Sequence, residues 1–395
     1  MRSLTTSRRT LLGAALTAFV ATASGCGSPQ GSAGDNSSID VGVVYSQSGP
    51  LASYGAQYAE GFKAGLAYAT NGTGKIGDRT VNVTWTDDAG DPVKAVSAAK
   101  DLIGKGYKVL AGSTSSGVGL QVAPLAAENK VLFVSGPAAT DGLTGANKYT
   151  FRSGRQSYQD VLTAKAFLGD GKKVTVFAPD SAFGKSNVDA VTKVLGGAGA
   201  TVTSIAVPAS ATDFTPFASQ IKAAKPDLVF VAWAGTTAGA MWQALDQQGV
   251  LAGTKVVTGL DIRASWAGFG AGGAKLNLLA HYFDGAVDNP AYQALKAAVP
   301  GGRTDLFHPD GFAAAQMIVH ALEASPDDAD KMVTALEGYS FDSVKGKLTV
   351  RAEDHALLQP MFQAKLTGAG DAATATATGT IDAEAAAPPA AAMKG

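Results

Sequence analysis

Residues 107–136 read YKVLAGSTSSGVGLQVAPLAAENKVLFVSG. YKVLAG (107–112) and VLFVSG (131–136) are short, Val/Leu-rich runs of strand length, and 118–129 has the length and pattern of a helix between them. Upstream, VGVVYS (41–46) and VNVTWTD (81–87) are strands separated by helical patterns at 54–69 and 92–105. In the second of these Val93, Val96, Ala99, Leu102 and Ile103 recur at three-to-four spacing, with Asp91 as cap and Pro92 in the first turn. Strict β-α-β-α alternation implies a parallel sheet covered by helices.

A second series follows Phe151. KKVTVFAPD (172–180), TVTSIAVP (201–208), DLVFVAWAG (227–235) and KVVTGLD (255–261) alternate with helical patterns near 185–195, 214–224 and 237–248. Two successive doubly wound units fit this length better than one giant sheet. Segment 308–337 reads as two further helices, capped by Asp310 and by Pro326-Asp327. Beyond Thr367 the chain turns Ala/Thr/Gly-rich and is expected to be disordered.

The N-terminus carries a different message. MRSLTTSRRTLLGAALTAFVATASGC places three arginines before an apolar core and small residues, the plan of a secretory signal over 1–25. The chain's one cysteine, Cys26, follows Ala23-Ser24-Gly25 and resembles a lipobox, where the thiol is acylated. Ser7-Arg8-Arg9-Thr10-Leu11-Leu12 also fits a twin-arginine export signal. Residues 26–38 are small and polar and read as a lipidated, flexible tether. Localisation is therefore expected to be extracytoplasmic and membrane-anchored through lipid.

Without residues 1–25, Lys+Arg falls from 32 to 29 against 33 Asp+Glu, a formal charge of −4 with no basic stretch. Nucleic acid is an unsuitable partner for such a surface. The four histidines lack metal-ligand spacing, so neither a metal nor a cofactor is expected. No GxSxG elbow, P-loop or nucleotide fingerprint is present, which argues against an enzyme.

In open α/β sheets, ligands bind beyond the carboxyl ends of the strands, often at helix N-termini. Ser113-Thr114-Ser115-Ser116 stands at such a place, beside PAAT (137–140). Four hydroxyl residues there point to ligand contact beyond plain helix capping.

At this point the chain resembles a known family, the leucine/isoleucine/valine-binding receptors that serve ABC importers. The resemblance rests on VGVVYSQSGPLASYGAQYAEG, DDAGDPVKAVSAAKDLI, GSTSS…VAPLAAEN…SGPAAT, TVFAPDSAFGKS and DGFAAAQMIVHALE, in that order. It implies the type I periplasmic binding protein fold: two lobes joined by three hinge crossovers, with 39–152 and 285–340 in one lobe and 153–284 and 341–366 in the other. It also implies a monomer that closes over an amino acid, amide or small carboxylate and delivers it to a permease. By the same resemblance Ser116, Ala138, Ala139 and Thr140 grip the ligand carboxylate. Tyr54, Phe183 and Trp233 form the walls. The family's acids, which hold the ligand ammonium, fall here at Thr237 and Ser157, leaving Asp261 as the substitute. A desolvated ammonium with no carboxylate is costly, so either Asp261 takes that role or the ligand carries no amine. A sensory ectodomain of the same fold is the alternative, and would continue into a membrane helix and signalling domain.

Overall fold

The computed structural model describes residues 37–368 and 372–394. The signal peptide, Cys26 and the tether up to residue 36 lie outside the described residues.

The first sheet has the order β2-β3-β1-β4-β5-β6, with β1 Ser38–Tyr45, β2 Lys75–Ile76, β3 Arg79–Asp87, β4 Val109–Gly112, β5 Leu132–Ser135 and β6 Thr150–Arg152. All its pairings are parallel except β2 with β3. Helices α1 Ala52–Ala69, α2 Pro92–Gly104 and α3 Ser116–Asn129 make the crossovers that parallel strands require. Asp91 caps α2 as expected, its Oδ1 accepting from the Val93 amide at 2.7 Å.

After α4 Ser157–Ala164 the second sheet follows the order β16-β15-β11-β10-β9-β7-β8. Its parallel centre is β7 Lys173–Pro179, β8 Thr201–Val207, β9 Leu228–Val231, β10 Lys255–Gly259 and β11 Asn277–Ala280. The intervening helices are α5 Ala182–Val191, α6 Thr215–Ala224, α7 Ala238–Gln247 and the single turn α8 Val250–Gly253. The chain then returns to the first lobe through α9 Pro290–Ala298, α10 His308–Ala324 and α11 Ala329–Leu336. Helices α1 and α10 pack backbone to backbone. A Cβ on Gly61 would lie 1.9 Å from the His308 carbonyl oxygen, and one on Gly311 would lie 2.0 Å from that of Tyr58. Only glycine permits that approach.

A small antiparallel sheet, β12 Ser340–Ser343, β13 Gly346–Val350 and β14 Leu357–Leu358, follows α11. Phe341, Leu348, Val350 and Leu357 are buried in the first lobe's core with Val43, Leu110 and Phe133. The expected lobe boundary at 340/341 therefore moves to the stretch after Leu358, because these side chains bury on the first lobe. The chain rejoins the second sheet at β15 Met361–Thr367, antiparallel to β11.

Two further expectations are corrected. The Ala/Thr-rich tail is not disordered throughout: β16 Thr374–Ile381 pairs antiparallel with β15. Its Thr-rich sequence suits a strand, and pairing covers an edge that would otherwise expose unpaired amides. Beyond it the chain crosses to the first lobe, where Arg351 donates to the Pro388 carbonyl at 2.7 Å and the Ala391 amide donates to Asp354 at 2.8 Å. As for the caps, Asp328 caps α11, and Asp310 lies inside α10, fully buried.

Besides the crossing beyond β16, the chain passes between the lobes after β6, after β11 and after β14, and these three passages converge on one buried cluster. Lys345 reaches Asp310 at 3.1 Å and also donates to Gln359 of the third passage. His281, on the second, stands 3.6 Å from Asp310. Arg152 and Arg155 flank the first. Burial drives the His281 imidazole well below its usual pKa, with Arg155 and Lys345 acting in the same direction.

Candidate functional site

Between the lobes lies a cavity of about 450 Å³, lined from the first lobe by Tyr54, Ser115, Ser116 and Ala139. Phe183, Asn187, Trp233 and Asp261 line it from the second, and Arg155, Asp160 and His281 from the hinge side. Apart from Asn187, in the middle of α5, these residues follow a strand's carboxyl end or lie in the first turn of a helix, the location open α/β sheets provide for ligands.

Ser116 begins α3, whose first-turn amides have no partner within the helix. Its Oγ accepts from the Thr140 amide at 3.2 Å, which fixes the side chain 5 % exposed at the cavity wall. Ala139 lines the cavity, whereas Ala138 and Thr140 do not. Their carbonyls are engaged by Arg152, which donates to Ala138 O at 2.9 Å and Thr140 O at 3.1 Å. Thr140 Oγ1 caps a short turn by accepting from Gly142 N. Of the four residues expected to grip the ligand, Ser116 and Ala139 line the cavity, with the Arg152 guanidinium behind them.

Trp233 is both wall and core. It lines the cavity while stacking on Phe177 at 5.3 Å and meeting Phe214 edge-on. Its indole donates to Thr237 Oγ1 at 3.1 Å, and Thr237, the N-cap of α7, does not line the cavity. Phe183 opens α5 and faces the cavity as expected.

Tyr54 and Asp261 meet across the cleft. The Tyr54 hydroxyl donates to Asp261 Oδ1 at 2.8 Å and accepts from the Gly235 amide at 2.9 Å. Asp261 also accepts from Ile262 N at 2.7 Å and is held at φ 62°. Burial raises its pKa to about 6, against the opposing effect of these hydrogen bonds. Elsewhere on the rim Asp305 of the first lobe accepts from Gln57 at 2.8 Å and from the Arg263 amide at 2.9 Å.

Two charged residues that line the cavity, Asp160 and Arg155, are absent from the sequence-based site. Ser157, which stands where the resemblance puts a family acid, donates through its amide and its hydroxyl to Ala139 O. The acid that lines the cavity is Asp160, one helical turn further along α4. Arg155 pairs with it, Nε to Oδ2 at 3.3 Å, and donates through Nη1 to Pro137 O at 3.0 Å. Burial raises the Asp160 carboxyl's pKa, with Arg155 opposing. The i, i+3 relation of Ser157 and Asp160 was the available signal. Among the described residues no group of three or more His, Cys, Asp or Glu side chains is arranged to hold a metal, and no helix is long and apolar enough to cross a membrane.

Two α/β lobes closing on a cavity, with hydroxyl and amide donors at one helix start and aromatic walls opposite, define a solute-binding protein. The chain belongs to the periplasmic binding protein family, which it matches over residues 38–372. It is 30% identical over 337 residues to Leu/Ile/Val-binding protein homolog 3 of Brucella melitensis, covering 82% of this chain and 90% of that one. It is 29% identical over 321 residues to Leu/Ile/Val-binding protein BraC3 of Rhizobium johnstonii, covering 79% of this chain and 87% of that one. Among solved structures, an ABC-type branched-chain amino acid transporter from Rhodopseudomonas palustris superposes with a TM-score of 0.74 at 30% identity, over 90% of this chain and all of that one. An R. palustris solute-binding protein in complex with 4-hydroxybenzoate shares the fold, with a TM-score of 0.80 at 24% identity over 87% of this chain and 97% of that one.

Proposed function

We propose that the protein is a lipid-anchored receptor of an ABC importer, closing its lobes over a small carboxylate-bearing solute and presenting it to the permease. The observation that carries this reading is the cavity itself: Ser116 at the start of α3 stands at one wall, and Phe183 and Trp233 of the other lobe stand across from it. Donors at a helix start favour an anionic group, and aromatic walls favour an apolar body. The relatives named for leucine, isoleucine and valine binding agree with a ligand of this size and polarity.

The protein acts by binding rather than by chemistry. Ligand bridging both walls stabilises the closed arrangement only by the difference in its contacts between open and closed states. Cys26, by its lipobox setting, anchors the receptor beside the permease. Two acyl chains suffice for stable anchoring, at roughly 0.8 kcal/mol per buried methylene.

A thermal-shift screen of the purified protein against amino acids, amides and aromatic acids tests this reading. A ligand at a hundred times its Kd stabilises by about 2.7 kcal/mol. If no small carboxylate raises Tm, the proposal fails.

A further inference from the structure

Resting on the carboxylate-receptor reading above, we infer that Arg155 is the charge partner of the ligand's carboxylate, and that the ligand is an apolar or aromatic acid without an amine. Arg155 Nε is buried and faces Asp160 Oδ2 at 3.3 Å, Nη2 makes no hydrogen bond among the described residues, and the guanidinium lies over the Phe307 ring, 5.6 Å from its centroid. One N–H of the group, on Nη1, is engaged by Pro137 O. The residue lines the same cavity as Ser116 and Ala139. Arginine's planar fork binds carboxylates in two parallel hydrogen bonds, which a serine hydroxyl alone does not offer.

The acceptors are in the opposite condition. Asp261 already receives the Tyr54 hydroxyl, the Ile262 amide and the Ser265 hydroxyl. Asp160 already faces Arg155 at 3.3 Å. An incoming ammonium therefore shares an acid that already serves other donors, whereas a carboxylate meets a guanidinium whose Nη2 and second Nη1 hydrogen have no other acceptor. Behind Arg155 stands Arg152, fully buried, its hydrogen bonds going to the carbonyls of Ala138, Thr140, Gly154 and Arg155 and to the Thr144 hydroxyl. It receives no carboxylate in those bonds, and the part of its charge that nearby Asp141, Asp310 and Asp160 leave unbalanced adds to the attraction for an anion at this wall. His281, on the neighbouring passage, faces the cavity as a neutral imidazole and takes no share of that charge.

The position has a mechanical consequence. Arg155 belongs to the first passage between the lobes, not to either cleft wall, so a carboxylate bound there contacts the hinge directly. Charge recognition and lobe closure are then coupled at one residue.

Calorimetry of the purified protein with benzoate, 4-methylpentanoate, leucine and benzamide tests the assignment. The des-amino acid 4-methylpentanoate is expected to bind about tenfold or more tighter than leucine, and benzoate tighter than benzamide by a similar factor. Arg155→Met should remove the preference for benzoate over benzamide, and Arg155→Lys should keep part of it. Because Arg155→Met leaves Asp160 unpaired, Arg155→Met/Asp160→Asn is measured alongside, and the same lost preference is expected. Leucine binding as well as 4-methylpentanoate, or a double variant with the wild-type preference for carboxylate over amide, overturns the assignment while leaving a solute receptor. Failure of all four probes to bind overturns the assignment and the carboxylate reading together.

Discussion

The Tyr54 hydroxyl, on the first helix of one lobe, donates to Asp261 Oδ1 at the end of a central strand of the other, at 2.8 Å. The Tyr54 hydroxyl oxygen also accepts from the Gly235 amide, so one side chain ties two segments of the second lobe to the first. Tyr54→Phe keeps the ring's edge-on contact with Phe307 but removes both ties. A hydrogen bond to a charged group contributes roughly 1.5–3 kcal/mol, so ligand affinity should fall about tenfold or more. The free variant should also be more open, with a larger radius of gyration by small-angle scattering. An affinity and a scattering profile equal to wild type would show that this contact does not set the closed state.

Closing should depend on pH through Asp261. Its pKa is raised to about 6 in this structure, whereas a solvated aspartate titrates near 3.8. Closing therefore takes up a proton between those values. Below about 4 both states are protonated and the preference for closure from this group is full. It is lost progressively as pH rises through about 6 and is absent at pH 7.5 and above. Acidifying from pH 7.5 to 5 should shift the ligand-free protein toward the compact form, and Asp261→Asn should flatten that response. A variant that responds to pH like the wild type would move the titration to another group.

How much of this was legible in the sequence follows from how local each signal is. Strands β1, β3, β7 and β8 are long Val- and Thr-rich runs, and their patterns located them within a few residues. By contrast β11 (NLLA) and β14 (LL) are too short to carry a period, and only their neighbours make them strands. The three-stranded sheet was assigned to the wrong lobe because burial of Phe341 and Leu348 is a tertiary fact. At the site, Ser116 was legible from its strand-to-helix turn and Phe183 and Trp233 only through the family resemblance, and all three line the cavity. Ala138 and Thr140 were not, because their carbonyls are occupied by Arg152 from a different strand.

Ser116→Ala should weaken carboxylate binding by about tenfold or more, since the lost donor served a charged acceptor. Its Oγ also accepts from the Thr140 amide at 3.2 Å, so a modest fall in Tm is expected as well. Ser116→Thr keeps the hydroxyl and separates the two effects. If Ser116→Ala binds as tightly as wild type at reduced Tm, the serine is a structural residue of the PAAT loop.

The C-terminal strand should contribute measurable stability. Ending the chain at Thr367 exposes the edge of β15 from Met361 to Thr367, which β16 otherwise pairs along its length. That variant should lose several degrees of Tm and aggregate on heating, as unprotected edges do. A chain ended at Ile381 keeps the strand but loses the contacts of Pro388 with Arg351 and of Ala391 with Asp354. It should keep most of the Tm while opening more readily, because a connection from the second lobe to the first has been removed. Equal Tm for all three lengths would reduce β16 to a passive appendage.

Anchoring should be separable from binding. Cys26 lies in the polar tether, thirteen residues before Ile39, the first core residue of β1, and no site residue is nearby in sequence. Cys26→Ala should therefore release the protein from membranes during fractionation while calorimetry gives an unchanged Kd. Acyl chains supply membrane affinity by burying methylenes, and the tether has no apolar stretch to replace them. Export itself should continue, since the charged and apolar parts of the signal are intact. The double substitution Arg8→Lys with Arg9→Lys, which keeps the charge and removes the arginine pair, tests separately whether the twin-arginine route carries it. Membrane retention of Cys26→Ala at wild-type levels, with signal cleavage confirmed by mass, would defeat the lipobox reading and leave the solute-binding assignment untouched.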